Sequence, residues 1–172
     1  MTVIVLTGAP GVGKTTIVMD MAQKLNERAV RVGGVASMEV RTNNVRTGFQ
    51  FIDLTTNDRE ILASVTETGP RVGKYFVSLS GCQFAANRLN NALINSDVII
   101  CDEIGPMELK SKEFSDAARN LITTHKNAIV VVHQKLDHPL ANEFREKSSS
   151  LISITLGNRN EISKILLHRL NV

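Results

Sequence analysis

Apolar positions along this chain follow two rhythms. Short unbroken runs alternate with stretches in which apolar residues return every three or four positions. Val3 to Leu6 is apolar throughout and predicts a first strand. Ile17, Val18, Met21, Ala22 and Leu25 share one face of a helix running from Lys14 to about Asn26. The next fifty residues or so carry shorter β-prone runs: Val30 to Met38, Gly48 to Leu54, Ile61 to Val65 and Tyr75 to Leu79. Asn43-Asn44, Asn57-Asp58 and Gly69-Pro70 are turn formers between them, so the middle third reads as an antiparallel meander. A helix follows from about Gln83 to Ile94, with Phe84, Leu89, Ala92 and Leu93 on its apolar side.

The run Val98-Ile99-Ile100-Cys101 is apolar at every position, the pattern of a parallel strand covered on both faces. Helix and strand then alternate: a helix from about Glu113 to Thr123, a strand from Ile129 to Val132 and a helix near Leu140 to Glu146. Leu151 to Leu156 and a closing helix from Glu161, with Ile162, Ile165, Leu166 and Leu170 toward the core, complete the pattern. Such alternation predicts an α/β fold of three layers with right-handed crossovers. There is no internal repeat.

At 172 residues the chain fits one domain, residues 1–172, large enough for a full core. With 42% hydrophobic and 22% charged residues and no low-complexity tract, a compact fold is expected rather than a disordered chain. No apolar stretch approaches the ~20 residues of a membrane span, and the first residues lack the basic and cleavage regions of a leader. No membrane partner is expected, and the cytoplasm is the expected location. Cys82 and Cys101 lie far apart in no metal-ligand spacing and read as small apolar fillers. The net charge of +3 is spread along the chain, and one Tyr with no Trp offers few stacking platforms, so a nucleic-acid partner finds no support. The pattern names no protein partner.

The candidate chemistry begins directly after the first strand. Gly8-Ala9-Pro10-Gly11-Val12-Gly13-Lys14-Thr15 spells G-x-x-x-x-G-K-T between an apolar run and an amphipathic helix. Glycines let a main chain curl around phosphates so that its N–H groups form a nest, and Gly8, Gly11 and Gly13 are read as supplying that freedom. The following helix turns its unpaired N–H groups and positive dipole end toward the same anion. Lys14 adds a charge that can follow the β- and γ-phosphates, and the Thr15 hydroxyl is the expected Mg²⁺ ligand. Thr16 is read either as an α-phosphate contact or as a plain residue of the first helical turn.

A second anchor follows the strand ending at Cys101. Asp102 and Glu103 lie at the carboxyl end of that strand, the edge where open α/β sheets bind ligands. Asp102 fits the acid of a Mg²⁺ shell, and Glu103 fits the general base that polarises water, with Glu108 as an alternative base. Gly105 and Pro106 would shape the loop beside the γ-phosphate. An exposed loop or a helix cap is the plain alternative for the acidic pair.

Taken together, GAPGVGKTT, the stretch DVIICDEIGPMEL from Asp97 to Leu109, Gly33-Gly34-Val35 leading to Glu39 and Arg41, the Arg46 to Phe49 stretch and Asn158-Arg159-Asn160 resemble one family. It is the small P-loop nucleoside-triphosphatase family of archaea, bacteria and animals, whose animal members are called cancer-related nucleoside-triphosphatases. The resemblance spans essentially the whole chain. It implies a three-layer P-loop NTPase fold, RecA-like, with a mixed, mostly parallel sheet flanked by helices. It also implies Mg²⁺-dependent hydrolysis of ATP, GTP and other nucleoside triphosphates to diphosphate and phosphate, with little base selectivity. Nucleotide-binding roles carry over to Gly8 through Thr15 and to Asp102, Glu103, Gly105 and Pro106. Asn43-Asn44, where a Gly-containing turn is usual, and Ser80-Gly81-Cys82 depart from the pattern and leave the hairpin shape open.

Weaker candidates remain. Arg159 is a candidate nucleotide contact, while Asn158 or Asn160 reads more simply as a helix N-cap. His133 either senses the γ-phosphate or ends its strand as an ordinary satisfied histidine. Arg41, Arg46 and Arg71 either reach phosphates or a partner, or form solvated ion pairs. Three rival functions share the phosphate loop. Asp102-Glu103-Ile104-Gly105 matches the D-x-x-G of a GTPase switch, and Gln134-Lys135-Leu136-Asp137 approaches N-K-x-D with its Asn replaced, which weakens guanine reading. The long stretch between Lys14 and Asp102 leaves room for an added strand between the two motifs, which favours the RecA-like arrangement. A small-molecule or nucleotide kinase needs an acceptor pocket and a lid, and no lid pattern stands out. A nucleotide-binding module that drives a partner is the third.

Overall fold

A computed structural model describes residues 2–172. Nine strands form one sheet: β1 (Val3–Gly8), β2 (Val32–Thr42), β3 (Val45–Asp53), β4 (Arg59–Ser64), β5 (Arg71–Val72), β6 (Tyr75–Val77), β7 (Val98–Ile104), β8 (Asn127–Val132) and β9 (Ser150–Ile154). Five helices join them: α1 (Lys14–Glu27), α2 (Leu79–Asn95), α3 (Lys112–Arg119), α4 (Pro139–Lys147) and α5 (Ile162–Leu170). The strand order is β5-β6-β4-β3-β2-β7-β8-β1-β9. From β2 to β9 all pairs are parallel, and from β2 to β5 all are antiparallel. The expected mixed sheet with an antiparallel meander is thus present. β8 lies between β1 and β7, so the strand that separates the two motifs comes from after the second motif and not from the residues between them.

Alternate side chains on the parallel strands explain the three layers. Val3, Val5, Ile99, Cys101, Val130 and Val132 pack on one face with residues of α2, α3 and α4. Ile4, Leu6, Val98, Ile100, Ile129 and Val131 pack on the other against α1 and α5. Period-two alternation inside unbroken apolar runs therefore feeds two cores from one sheet.

Several boundaries differ from the pattern. α2 starts at Leu79 rather than near Gln83, and β6 stops at Val77, because the Ser78 hydroxyl accepts from the Gly81 N–H at 3.2 Å and caps the helix. A Cβ at Gly81 would come within 1.7 Å of the Ile61 carbonyl, so the glycine is the residue that lets α2 rest on β4. β7 runs on past Cys101 to Ile104, and β9 ends at Ile154, leaving Leu156 exposed in a turn. The β2–β3 hairpin closes on two residues, with Thr42 paired to Val45. Asn43 and Asn44 take φ of 49° and 63°, the left-handed pair that a tight hairpin requires and that asparagine tolerates.

Both cysteines are fully buried and unpaired with each other. Burial first, then the charges of Glu108 and Glu113, pushes the Cys82 thiol up to about 12. Burial likewise holds the Cys101 thiol well above its ordinary value. Among the described residues, no helix is long and apolar enough to cross a membrane.

Candidate active site

β1 delivers the chain to the loop that precedes α1. Gly11 and Gly13 adopt φ of 77° and 107°, where an L side chain is strained. Gly8 is different. It belongs to β1, and a Cβ there would meet the Ile154 carbonyl at 2.7 Å, so its role is close packing on β9 rather than conformational freedom. Val12 is also structural, buried in the core beside α1. α1 begins without a side-chain cap and has no acidic residue in its first turn, which leaves its first N–H groups and dipole end open to an anion.

Lys14 folds back onto the loop. Its Nζ donates to the Gly8 carbonyl at 3.0 Å and the Ala9 carbonyl at 3.3 Å, and lies 3.8 Å from Glu103 Oε2. The lysine thus stands between the phosphate loop and the acidic pair.

β7 supplies that pair. Its register with β8 slips between Cys101 and Ile104, so that three steps along β7 match two along β8. A slip of this kind re-aims side chains at a strand end. Asp102 is 1% exposed, which rules out the exposed-loop alternative for it. Burial raises its carboxyl to about 7, opposed first by the nearby Thr15 hydroxyl. Both Asp102 oxygens are buried without a hydrogen-bond partner. Two bare carboxylate oxygens beside a hydroxyl are the donor set of a hard cation such as Mg²⁺, which takes few protein ligands and completes its shell with water and phosphate. Burial also raises Glu103, while Lys14 and then His133 lower it.

Glu108, the alternative base of the sequence pattern, lies close to the same space. It follows β7 in a short 3₁₀ turn, is buried, and is pushed up to about 8 by burial and then by the charge of Glu103. A Cβ at Gly105 would sit 2.8 Å from Glu108 Oε2 and 3.1 Å from Glu103 Oε1, so both carboxyls crowd the space over that glycine. A carboxyl raised in the folded state holds its proton there and releases it on unfolding, so its stabilising effect is full below its ordinary value of 4.5 and is lost as pH rises toward 8. Glu108→Gln mimics the protonated form. Between pH 5 and pH 8 the nucleotide-free wild type is expected to lose several degrees more of Tm than this variant, read by thermal unfolding in parallel buffers.

A cavity of about 570 Å³ gathers these groups, lined on one side by Pro10, Gly11, Gly13, Lys14, Thr15, Thr16, Glu103, Pro106, Glu108 and His133. Its other wall comes from the meander and includes Ser37, Met38, Glu39, Arg46 and Phe49, which the motifs alone do not bring to the site. Those residues lie on β2 and β3 just past the stretch of β2 that pairs with β7. The Nδ1 atom of His133 is buried with no partner, so it is not the satisfied strand-end histidine of the plain reading. Arg41 and Arg71 stay off this cavity, bonded to Glu39 and to the Gly73 carbonyl.

Arg159 is not among the residues of this cavity. It lines an adjoining hollow with Thr16, Asp20, Lys24, Asn160 and Ser163, and Gly13 and Thr16 border both spaces. Neither Asn158 nor Asn160 caps α5, which starts after Glu161 without a side-chain cap. Asn158 instead staples the loop after β9, accepting from the Thr155 N–H and donating to the Ser153 carbonyl, both at 2.9 Å. Asp137 of the N-K-x-D-like stretch accepts from Asn142 and lines neither of these two spaces.

A profile of the family described as NTPase matches residues 3–167. The chain belongs to this family. Similar proteins agree over nearly its whole length. Nucleoside-triphosphatase THEP1 of Methanopyrus kandleri is 43% identical over 168 residues, covering 96% of this chain and 93% of that one. The crystal structure of THEP1 from the hyperthermophile Aquifex aeolicus superposes with a TM-score of 0.89 at 35% identity, covering 99% of both chains. The solution structure of a human cancer-related nucleoside triphosphatase does so with a TM-score of 0.83 at 31% identity, covering 99% of this chain and 97% of that one. The NTPase family's P-loop fold is accordingly the fold of this chain, and its β2–β6 meander forms the second wall of the cavity.

Proposed function

We propose that the protein hydrolyses the terminal phosphoanhydride of nucleoside triphosphates, ATP and GTP included, with Mg²⁺ and little selectivity for the base. The observation that carries this reading is the pair of bare Asp102 oxygens buried beside Thr15 at an uncapped helix start, with Lys14 and Glu103 directly alongside. Thr15 and Asp102 would hold the cation, which when bound offsets charge on the phosphate oxygens. Lys14 exchanges the Gly8 and Ala9 carbonyls for phosphate oxygens. The N–H groups from Gly11 to Thr16 cradle the rest of the tail. Ala9 and Pro10 shape the rim of the loop, and Gly105 and Pro106 border the γ-phosphate end.

Glu103 accepts a proton from the attacking water. The water oxygen bonds to the γ-phosphorus as the bond to the bridging oxygen breaks, giving diphosphate and phosphate. Glu108, pushed up to about 8, holds its proton near neutral pH and so does not compete with Glu103 for the water. The Arg159 hollow takes the ribose and base. It is open to solvent, and no aromatic side chain among its lining residues is there to grip one base, which supports broad nucleotide use.

Phosphate release from ATP, GTP, CTP and UTP tests the reading, with Mg²⁺ and with excess chelator. All four are expected to be hydrolysed at rates within about tenfold of one another, and chelation is expected to lower each by at least about 10²-fold. A single accepted base, or full turnover without divalent cation, would overturn it.

A further inference from the structure

Hydrolysis needs the phosphate tail, its cation and one water on the phosphate-loop side of the cavity. The opposite, meander wall is of another kind. Met38, Phe49, Leu62, Val72 and Met107 give it an apolar lining that neither phosphate nor water requires. One cation, the exposed Arg46, borders that lining. Arg46 Nε donates to the Tyr75 hydroxyl at 3.0 Å and Nη1 donates to Glu39 Oε1 at 2.7 Å, while its guanidinium carbon lies 5.3 Å from the centre of the Phe49 ring. Phe49 in turn meets Tyr75 edge to face at 5.3 Å.

The guanidinium is therefore held in place by two bonds and a ring face, and among the described residues its Nη2 has no hydrogen-bond partner. Charge points the same way. Arg41 and Arg46 share the single carboxylate of Glu39, which leaves the cluster one positive charge in excess. A preorganised arginine with a free donor, beside an aromatic and aliphatic wall, suits an anion attached to a flat apolar body.

We propose that the meander half of the cavity is a second ligand site, for a small organic anion with a flat apolar body, occupied side by side with the nucleotide. The anionic group bonds Arg46 and the body lies on Phe49 between Met38 and Val72. This rests on the nucleotide reading only for the word "second"; the site itself is defined by meander residues. Arg46 takes no part in water attack.

Naphthalene-1-sulfonate is the probe, titrated by NMR into wild-type protein loaded with Mg²⁺ and a non-cleavable ATP analogue. One probe per chain is expected, with Kd of about 1 mM or lower and the analogue still bound. Arg46→Gln and, independently, Val72→Asp are expected to weaken the probe by about tenfold or more while leaving analogue affinity unchanged. Arg46→Gln is also expected to hydrolyse ATP within about twofold of wild type. A probe that displaces the analogue, shows no saturation, or binds both variants as well as wild type overturns the proposal. So does an Arg46→Gln enzyme with strongly reduced hydrolysis, which would make this arginine a phosphate contact. If wild type fails to bind the analogue, the nucleotide reading falls, and the same probe series on the free protein still decides this site.

Discussion

Lys14→Ala is expected to lower phosphate release by at least about 10²- to 10³-fold, the usual cost of removing one preorganised positive donor from a developing anion. The side chain sits at the junction of the site, bonded to two loop carbonyls and within ion-pair range of Glu103. Its removal takes away the only lysine lining the cavity. The fold has little stake in it. One part-buried and one exposed bond to backbone oxygens contribute on the order of 1 kcal/mol each at most, so Tm is expected to fall by no more than about 2–8 °C. Phosphate release measured beside thermal unfolding separates the two effects. A variant that turns over normally would remove the phosphate loop from the chemistry.

Glu103→Gln is expected to bind nucleotide with near wild-type affinity and to hydrolyse it about 10²- to 10⁴-fold more slowly, the range for losing a general base. The substitution keeps volume and removes charge. Burial already raises this carboxyl, so a neutral amide relieves desolvation and the unliganded variant is expected to melt no lower than wild type. Binding of a fluorescent ATP analogue and single-turnover phosphate release provide the readouts. An unchanged rate would move the base to Glu108, whose carboxyl crowds the same space over Gly105.

Local signals made much of this architecture legible. Continuous apolar runs marked β1, β7 and β8, and a 3.6-residue period marked α1 and α5, because burial on two faces or on one stripe leaves a direct imprint on side-chain type. Boundaries set by one hydrogen bond were less visible. The start of α2 depends on the Ser78 hydroxyl reaching Gly81, and a Ser-Gly pair reads locally as a turn. The site divides in the same way. The phosphate loop and Asp102–Glu103 are contiguous and carry their chemistry on their face. The buried state of Glu108 and the orphaned Nδ1 of His133 come from two segments that only the tertiary fold brings to one space. Gly8 shows the converse: the motif names it, yet β9 is what requires it.

The burial of both thiols has a practical consequence for following this wall in solution. With Cys82 and Cys101 enclosed and their ionisation suppressed, the native chain presents no reactive sulfur to a maleimide. A cysteine introduced at exposed Val45, beside the hairpin tip, would be the sole labelling point, so a single fluorophore or spin label there reports whether the hairpin moves when each compartment fills.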